Sequence, residues 1–175
     1  LDFLKDNQTW RGIVPDNTFV WYCTLANTKK EIDLTNRIGD FVVRRRDGVP
    51  AYQIASLMDD IEMSVNLIVR GSDLISSTGS QLFLAKCLKD PFFPAVHFVH
   101  HKLMKNKSGR KISKSSGDHS LKYLRKKYNS PTIVYQNSAK ILDLPFDDIH
   151  TLQDLTQVFR TEMIRRKLML FNDQI

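Results

Sequence analysis

The sequence predicts an α/β fold: part of a parallel sheet, followed by a small helical segment. Two observations carry that expectation. From Asp40 to Val99, short β-rich runs alternate with stretches of helical spacing, and strands separated by helices pair in parallel. Beyond Ser120 the strand signals stop and helical periodicity alone remains.

The elements follow in order. Phe19-Val-Trp-Tyr-Cys-Thr24 is β-rich and follows a Pro15-Asp-Asn turn, so a strand is expected there, with Asp33 to Asp40 as a connection. Phe41-Val-Val-Arg-Arg-Arg46 reads as a strand ended by the turn dipeptide Asp47-Gly48. Pro50 suits the first turn of a helix that carries Tyr52, Ile54, Ala55, Leu57, Met58 and Ile61. Val65 to Val69 is a second strand, closed by Arg70-Gly71. Ser76, Ser77 or Thr78 can cap a helix bearing Leu82, Phe83, Ala85, Lys86 and Leu88. Pro94 to Val99 reads as a third strand. Together these form the second half of a Rossmann-like, doubly wound sheet. Helices are then expected at Leu121–Tyr128, Tyr135–Leu142 and Leu152–Phe171, the last with Leu155, Val158, Phe159, Met163, Ile164 and Leu168 on one broad face. The chain divides accordingly into residues 1–39 (an insertion or connection), 40–116 (the Rossmann-like half) and 117–175 (the helical segment).

At 175 residues, with 42% hydrophobic and 26% charged residues, the chain has the composition of a globular domain large enough for a real core. Cys23 and Cys87 stand alone, without a Cys-x-x-Cys pair, so neither disulfides nor structural zinc is expected, and a reducing, cytoplasmic setting is. No apolar run approaches the ~18 residues of a membrane span. The net charge of +7 points to a polyanionic partner.

That charge is concentrated. Lys102 to Lys127 holds ten Lys/Arg against one acid, Asp118. Within it, Lys107-Ser-Gly-Arg110 leads into Lys111-Ile-Ser-Lys-Ser115, where Lys111 and Lys114 flank a small hydroxyl residue. Lysine is a compact point charge on a long stem, suited to closing on a polyphosphate. Upstream, Arg70 can take a carboxylate through two parallel hydrogen bonds. Adjacent acids Asp59 and Asp60 read as helix polarity, because neighbours on a helix point in different directions. His97, His100 and His101 read as strand packing, with His97 and His101 on one face and His100 on the other.

Read in order, Asp40-Phe-Val-Val-Arg-Arg-Arg-Asp-Gly-Val-Pro-Ala-Tyr52, Met58-Asp-Asp60, Ile68-Val-Arg70-Gly71-Ser-Asp73, Thr78, Gln81 and Lys111-Ile-Ser-Lys-Ser115 resemble the second half of the class I glutamyl-tRNA synthetase catalytic domain. The match runs from about Gly39 to Ser116, and the lysine loop resembles the family's KMSKS element with Ile in place of Met. No His-x-Gly-His occurs and the chain opens at Leu1, so it is expected to lack the family's N-terminal half.

The resemblance implies a glutamate-activating ligase that uses ATP, with Mg2+ arriving on the nucleotide. It implies that Arg70 and Tyr52 contact glutamate, with Arg70 on its side-chain carboxylate and Ser56 a further contact. Lys114, assisted by Lys111, would meet the triphosphate, and His97 would stand near the nucleotide. Asp73 and Gln81 match family positions too, though a helix cap or a surface hydrogen bond accounts for them as well. Partners implied are glutamate, ATP and tRNA, with a monomer expected. The short helical tail resembles the glutamyl-queuosine tRNA(Asp) synthetase branch. A trimmed piece of a true glutamyl-tRNA synthetase and an inactive tRNA-binding paralogue stay open.

Overall fold

The computed structural model describes residues 7–103 and 121–172. Strands β1 (Trp10–Gly12), β2 (Phe19–Thr24) and β3 (Lys29–Asp33) lead into the short helix α1 (Leu34–Arg37), then β4 (Phe41–Arg44) and α2 (Tyr52–Glu62). Strand β5 (Leu67–Gly71) passes through a 3-10 turn into α3 (Ile75–Cys87), and a second 3-10 turn precedes β6 (His97–His101). Helices α4 (Leu121–Lys127), α5 (Thr132–Ile141) and α6 (Leu152–Asn172) complete the described chain.

The main sheet has strand order β3-β2-β6-β5. Strands β5 and β6 pair in parallel, as do β2 and β6, while β3 runs antiparallel to β2 as a hairpin edge. The α/β class and its parallel pairing are therefore as expected, but one strand assignment is corrected. Phe41–Arg44 does not enter the parallel sheet; it pairs antiparallel with Trp10–Gly12 in a separate two-stranded sheet. Its place is taken by Phe19–Thr24, from the segment read as an insertion. Both runs have strand propensity, and only the distant partner decides which joins which sheet.

Local chemistry explains the ends. Asp33 caps α1, accepting from the Asn36 N–H at 3.0 Å. The Asp47-Gly48 turn is real, with Gly48 at φ +83, a region open to glycine. Pro50 lies ahead of α2 rather than in its first turn, bridged to Arg44. Helix α3 begins at Ile75 without a side-chain cap, so Ser76, Ser77 and Thr78 lie inside it, the last two buried. Packing overrides the capping preference there. A Cβ at Gly79 would stand 3.0–3.1 Å from Leu34 and Ile32 side-chain carbons, so a side chain-free position lets α3 lie close on β3 and α1.

The core of the first unit, which ends at Leu103, lies between the sheet and the helices on one of its faces. Val20, Tyr22, Ile32, Ile68, Phe93 and Phe98 meet Leu34, Leu57, Leu82, Leu84 and Ala85. The second unit has its own smaller cluster of Ala139, Leu144 and Ile149, against which Tyr135, Phe146, Leu155 and Val158 pack. Helix α5 starts at Thr132, three residues before the expected Tyr135. Thr151 and Asp154 bond reciprocally across the first turn of α6, a capping box with Asp in the usual Glu place. Of the apolar face expected on α6, Leu155 and Val158 are half-buried, whereas Phe159, Met163 and Ile164 are exposed; Leu168 lies outside the described side chains.

Candidate functional site

Strand alternation turns Ile68 and Arg70 of β5 to the helix-covered face and Leu67 and Val69 to the other. Across the parallel register Arg70 stands opposite His100, with Ile68 opposite Phe98. Arg70 is thus a cation on the core side of the sheet, only 7% exposed. Its Nη1 donates to Gln81 Oε1 of α3 at 2.7 Å, and its Cζ lies 5.6 Å from the Phe98 ring centroid, within cation–π range. The nearest described acid is Asp60 on α2, its Oδ2 4.0 Å from Nη2 and so outside hydrogen-bond range.

This charge is held against burial, which pulls the Arg70 pKa down while Tyr52 and Asp60 pull it back up. Arginine stays protonated regardless. Asp60 is shifted the opposite way: desolvation raises its carboxyl, Arg70 opposes this, and Asp59 adds to it. The local field is therefore under-compensated positive charge.

Helix α2 explains why Tyr52 and Ser56 belong to the same place. Tyr52, Ser56 and Asp60 follow at i, i+4 and i+8, one stripe of the helix. Asp60 at one end reaches Arg70, and Tyr52 at the other lies within its electrostatic influence. Tyr52 is 53% exposed, so its ring borders solvent. Ser56, half-buried, lies between them on the stripe. The α2 and α3 helices are tied by Gln53 Nε2 donating to Ser77 Oγ at 3.3 Å.

His100 closes the far side. Its ring stacks on Phe98 at 6.2 Å and meets Tyr22 edge-on at 5.1 Å. Its Nε2 lies 2.9 Å from Thr78 Oγ1, whose own proton goes to the Leu74 carbonyl at 3.3 Å. With that hydroxyl proton used, Nε2 carries the imidazole hydrogen and Nδ1 a lone pair. Burial lowers the His100 pKa, with Arg70, His101 and Lys30 adding to the effect. Around Arg70, Asp60 Oδ2, Gln81 Nε2 and His100 Nδ1 are all buried without a hydrogen-bond partner. Buried polar groups are normally paired, so such a cluster marks unspent binding capacity.

Of the expected residues, Tyr52 acts electrostatically on Arg70, and Ser56 shares the α2 stripe of Tyr52 and Asp60. His97 does not join them. Alternation puts it on the opposite face, where Nε2 lies 2.8 Å from Asn27 Oδ1. Lys111 and Lys114 lie outside the described residues. Of the readings left open for Gln81, a surface hydrogen bond does not hold: the residue is fully buried and holds Arg70. One expectation needs correction. Asp60 is no mere marker of helix polarity but Arg70's nearest described acid. His100 was missed as a site neighbour; its shared strand parity with Phe98 was the available signal.

An apolar hollow of about 350 Å³ between Ile61, Val65, Phe92, Phe93 and Val96 lies at the amino ends of β5 and β6. Open α/β sheets take ligands at the carboxyl ends, where Arg70 and His100 stand.

A partly parallel sheet with a buried guanidinium borne near the end of a parallel strand, beside unpaired polar atoms, defines an α/β protein with a charged residue on its covered face. The chain belongs to the tRNA synthetases of class I (E and Q): the model of that family's catalytic domain matches residues 6–174. It is 32% identical over 171 residues to the glutamyl-Q tRNA(Asp) synthetase of Janthinobacterium sp. (strain Marseille), covering 93% of this chain and 54% of that protein. It is 34% identical over 156 residues to glutamate–tRNA ligase 2 of Mesorhizobium japonicum, covering 89% and 33%. The crystal structure of glutamate-tRNA synthetase from Elizabethkingia anophelis superposes with a TM-score of 0.48 at 28% identity, over 59% of this chain and 20% of that one. The chain spans about half the length of the first of these relatives. No helix among the described residues is long and apolar enough to cross a membrane.

Proposed function

We propose that this chain is part of an enzyme that joins glutamate to ATP as glutamyl-adenylate and passes the glutamyl group to tRNA, at the queuosine of tRNA(Asp). The observation that carries the reading is Arg70: a buried guanidinium, held by a neutral amide, with no carboxylate in hydrogen-bond contact among the described residues. Its charge, only partly offset by Asp60 at 4.0 Å, is available to the side-chain carboxylate of glutamate, with Tyr52 and Ser56 on the α2 stripe beside it. The partial match to glutamyl-Q tRNA(Asp) synthetases supports the acceptor.

In the reaction, a glutamate α-carboxylate oxygen attacks the α-phosphorus of ATP, and the bond to pyrophosphate breaks. Arg70 and Tyr52 fix the amino acid so that its α-carboxylate is presented to the phosphate. Lys114 and Lys111 neutralise the negative charge that gathers on the phosphorus oxygens and the leaving group, which binds the transition state more than the ground state. Mg2+ enters with the triphosphate. The basic stretch from Lys102 to Lys127 takes tRNA phosphates. The working form is a cytoplasmic monomer.

Glutamate-dependent ATP–pyrophosphate exchange tests the assignment. Lys114→Ala is expected to cripple exchange and leave glutamate binding nearly intact. Arg70→Ala should raise the glutamate requirement steeply. Equal defects of both variants in both assays would sink the division of roles. A second reading, a piece of a true glutamyl-tRNA synthetase, is favoured by the match to glutamate–tRNA ligase 2. Acceptance of glutamate by tRNA(Glu) and not by queuosine-bearing tRNA(Asp) would establish it.

A further inference from the structure

Arg70 has only donors to offer, so Gln81 must present Oε1 to it, and the 2.7 Å contact sets the amide that way round. The other half of the amide is then fixed as well. Nε2 is buried and makes no hydrogen bond, and the residue as a whole has no exposed surface. A glutamate in the same rotamer would keep the accepting oxygen. It would forfeit nothing at the other atom, because the amide nitrogen has no bond to lose. The shapes of the two side chains are nearly the same, so what separates them here is charge. A carboxylate at this position would make a charge-assisted pair with Arg70 and cancel its field.

The other neighbours offset that field only in part. Asp60 Oδ2, 4.0 Å from Nη2, attracts the guanidinium through space but is too far to hydrogen-bond to it. Phe98 offers a ring face at 5.6 Å, which attracts the cation without neutralising it. His100, across the register, carries a lone pair at Nδ1 and no compensating negative charge.

We infer that Gln81 is a positioning residue that sets specificity: it pins Arg70 without adding a second negative charge to that of Asp60, so that the guanidinium stays only partly compensated and the site favours a substrate carboxylate over the corresponding neutral amide. The inference rests on the reading of Arg70 as the glutamate contact and adds the residue that makes such a contact selective. Gln81 acts through Arg70 and need not touch the substrate.

The test compares Gln81→Glu and Gln81→Met with the wild-type chain. L-glutamate and L-glutamine are titrated by calorimetry, and thermal unfolding is followed without ligand near neutral pH. The wild type should prefer glutamate. Gln81→Glu should lose about tenfold or more in glutamate affinity, with glutamine binding little changed. It should also unfold at a higher temperature than the wild type, since a buried charge gains a partner. Gln81→Met should unfold at a lower temperature and weaken both ligands, since it leaves a guanidinium hydrogen unpaired. Tighter folding with weaker glutamate binding is a pairing that a merely structural glutamine would not produce. An unchanged glutamate-to-glutamine ratio in Gln81→Glu, or a lower unfolding temperature than wild type, would overturn the inference. If the wild type binds neither amino acid, the glutamate reading of Arg70 fails. The ligand-free order still decides the held charge: Gln81→Glu above wild type above Gln81→Met supports it, and Gln81→Glu below wild type ends it.

Discussion

On strand β5, Val69 and Arg70 are adjacent; the valine is 61% exposed and the arginine 7%. The same inversion runs across the sheet. The helix-covered face carries Tyr22, Arg70, Phe98 and His100, while Trp21, Leu67, Val69 and His97 lie on the other. Hydrophobicity alone would have assigned Val69 and Arg70 the other way round. The difference teaches that the covered face is organised around a charge: its polar residues come as a connected set, Arg70–Gln81 and His100–Thr78, at strand and helix positions that face each other. On the outer face, the polar contact of His97 with Asn27 is exposed instead.

The largest expected effect that separates the two faces is on stability. Phe98 is 1% exposed and packs against Tyr22, Phe93 and His100. Phe98→Ala should cost roughly 3–5 kcal/mol in chemical denaturation. A loss no greater than that of an outer-face substitution would break the comparison.

Next is Arg70→Met. It removes the charge and keeps much of the stem's packing, but it leaves the buried Gln81 Oε1 without its donor, so folding stability should fall by roughly 1–3 kcal/mol. Glutamate binding should fall by roughly 2–5 kcal/mol, the range for losing one member of a buried charged contact. A titration beside a melting curve separates the two, and loss of stability with glutamate binding kept would mean that Arg70 is structural.

A smaller effect is expected from pH. Burial holds the His100 pKa below its ordinary value, so the unfolded chain takes up the proton first. The stability linked to the neutral ring is present above an ordinary histidine pKa of about 6.5 and is lost as pH falls from there toward the lowered folded value. Unfolding midpoints measured between neutral and mildly acid pH should therefore drop for the wild type and drop less for His100→Gln. Parallel pH profiles would remove His100 from the explanation.

The smallest effect belongs to the outer face. Val69→Thr should change stability by no more than about 0.5 kcal/mol, as for most exposed substitutions. A large loss in denaturant would show that this face is covered in solution.

Much of this was legible in the chain. The period-2 run around Ile68, the helical spacing from Tyr52 to Ile61, and the ordered blocks ending in the lysine loop are local patterns, and they placed β5, α2 and the family. The placing of Tyr52 and Ser56 on one α2 stripe and of Arg70 near the end of β5 was legible because both follow from those periods. What the pattern could not supply was pairing. Phe19–Thr24 and Phe41–Arg44 have equal claims to be strands, and a ladder between β2 and β6 spans more than seventy residues.

The sequence by itself determined most element types, the basic stretch and the candidate carboxylate reader, since propensity, periodicity and residue chemistry are properties of neighbours along the chain. Only the tertiary structure decided which strands share the sheet, that Arg70 points inward, and that Gln81 and not an acid hydrogen-bonds to it. Those outcomes depend on which distant surfaces exclude water together, and a buried charge can be recognised as only partly compensated once the groups around it have been placed.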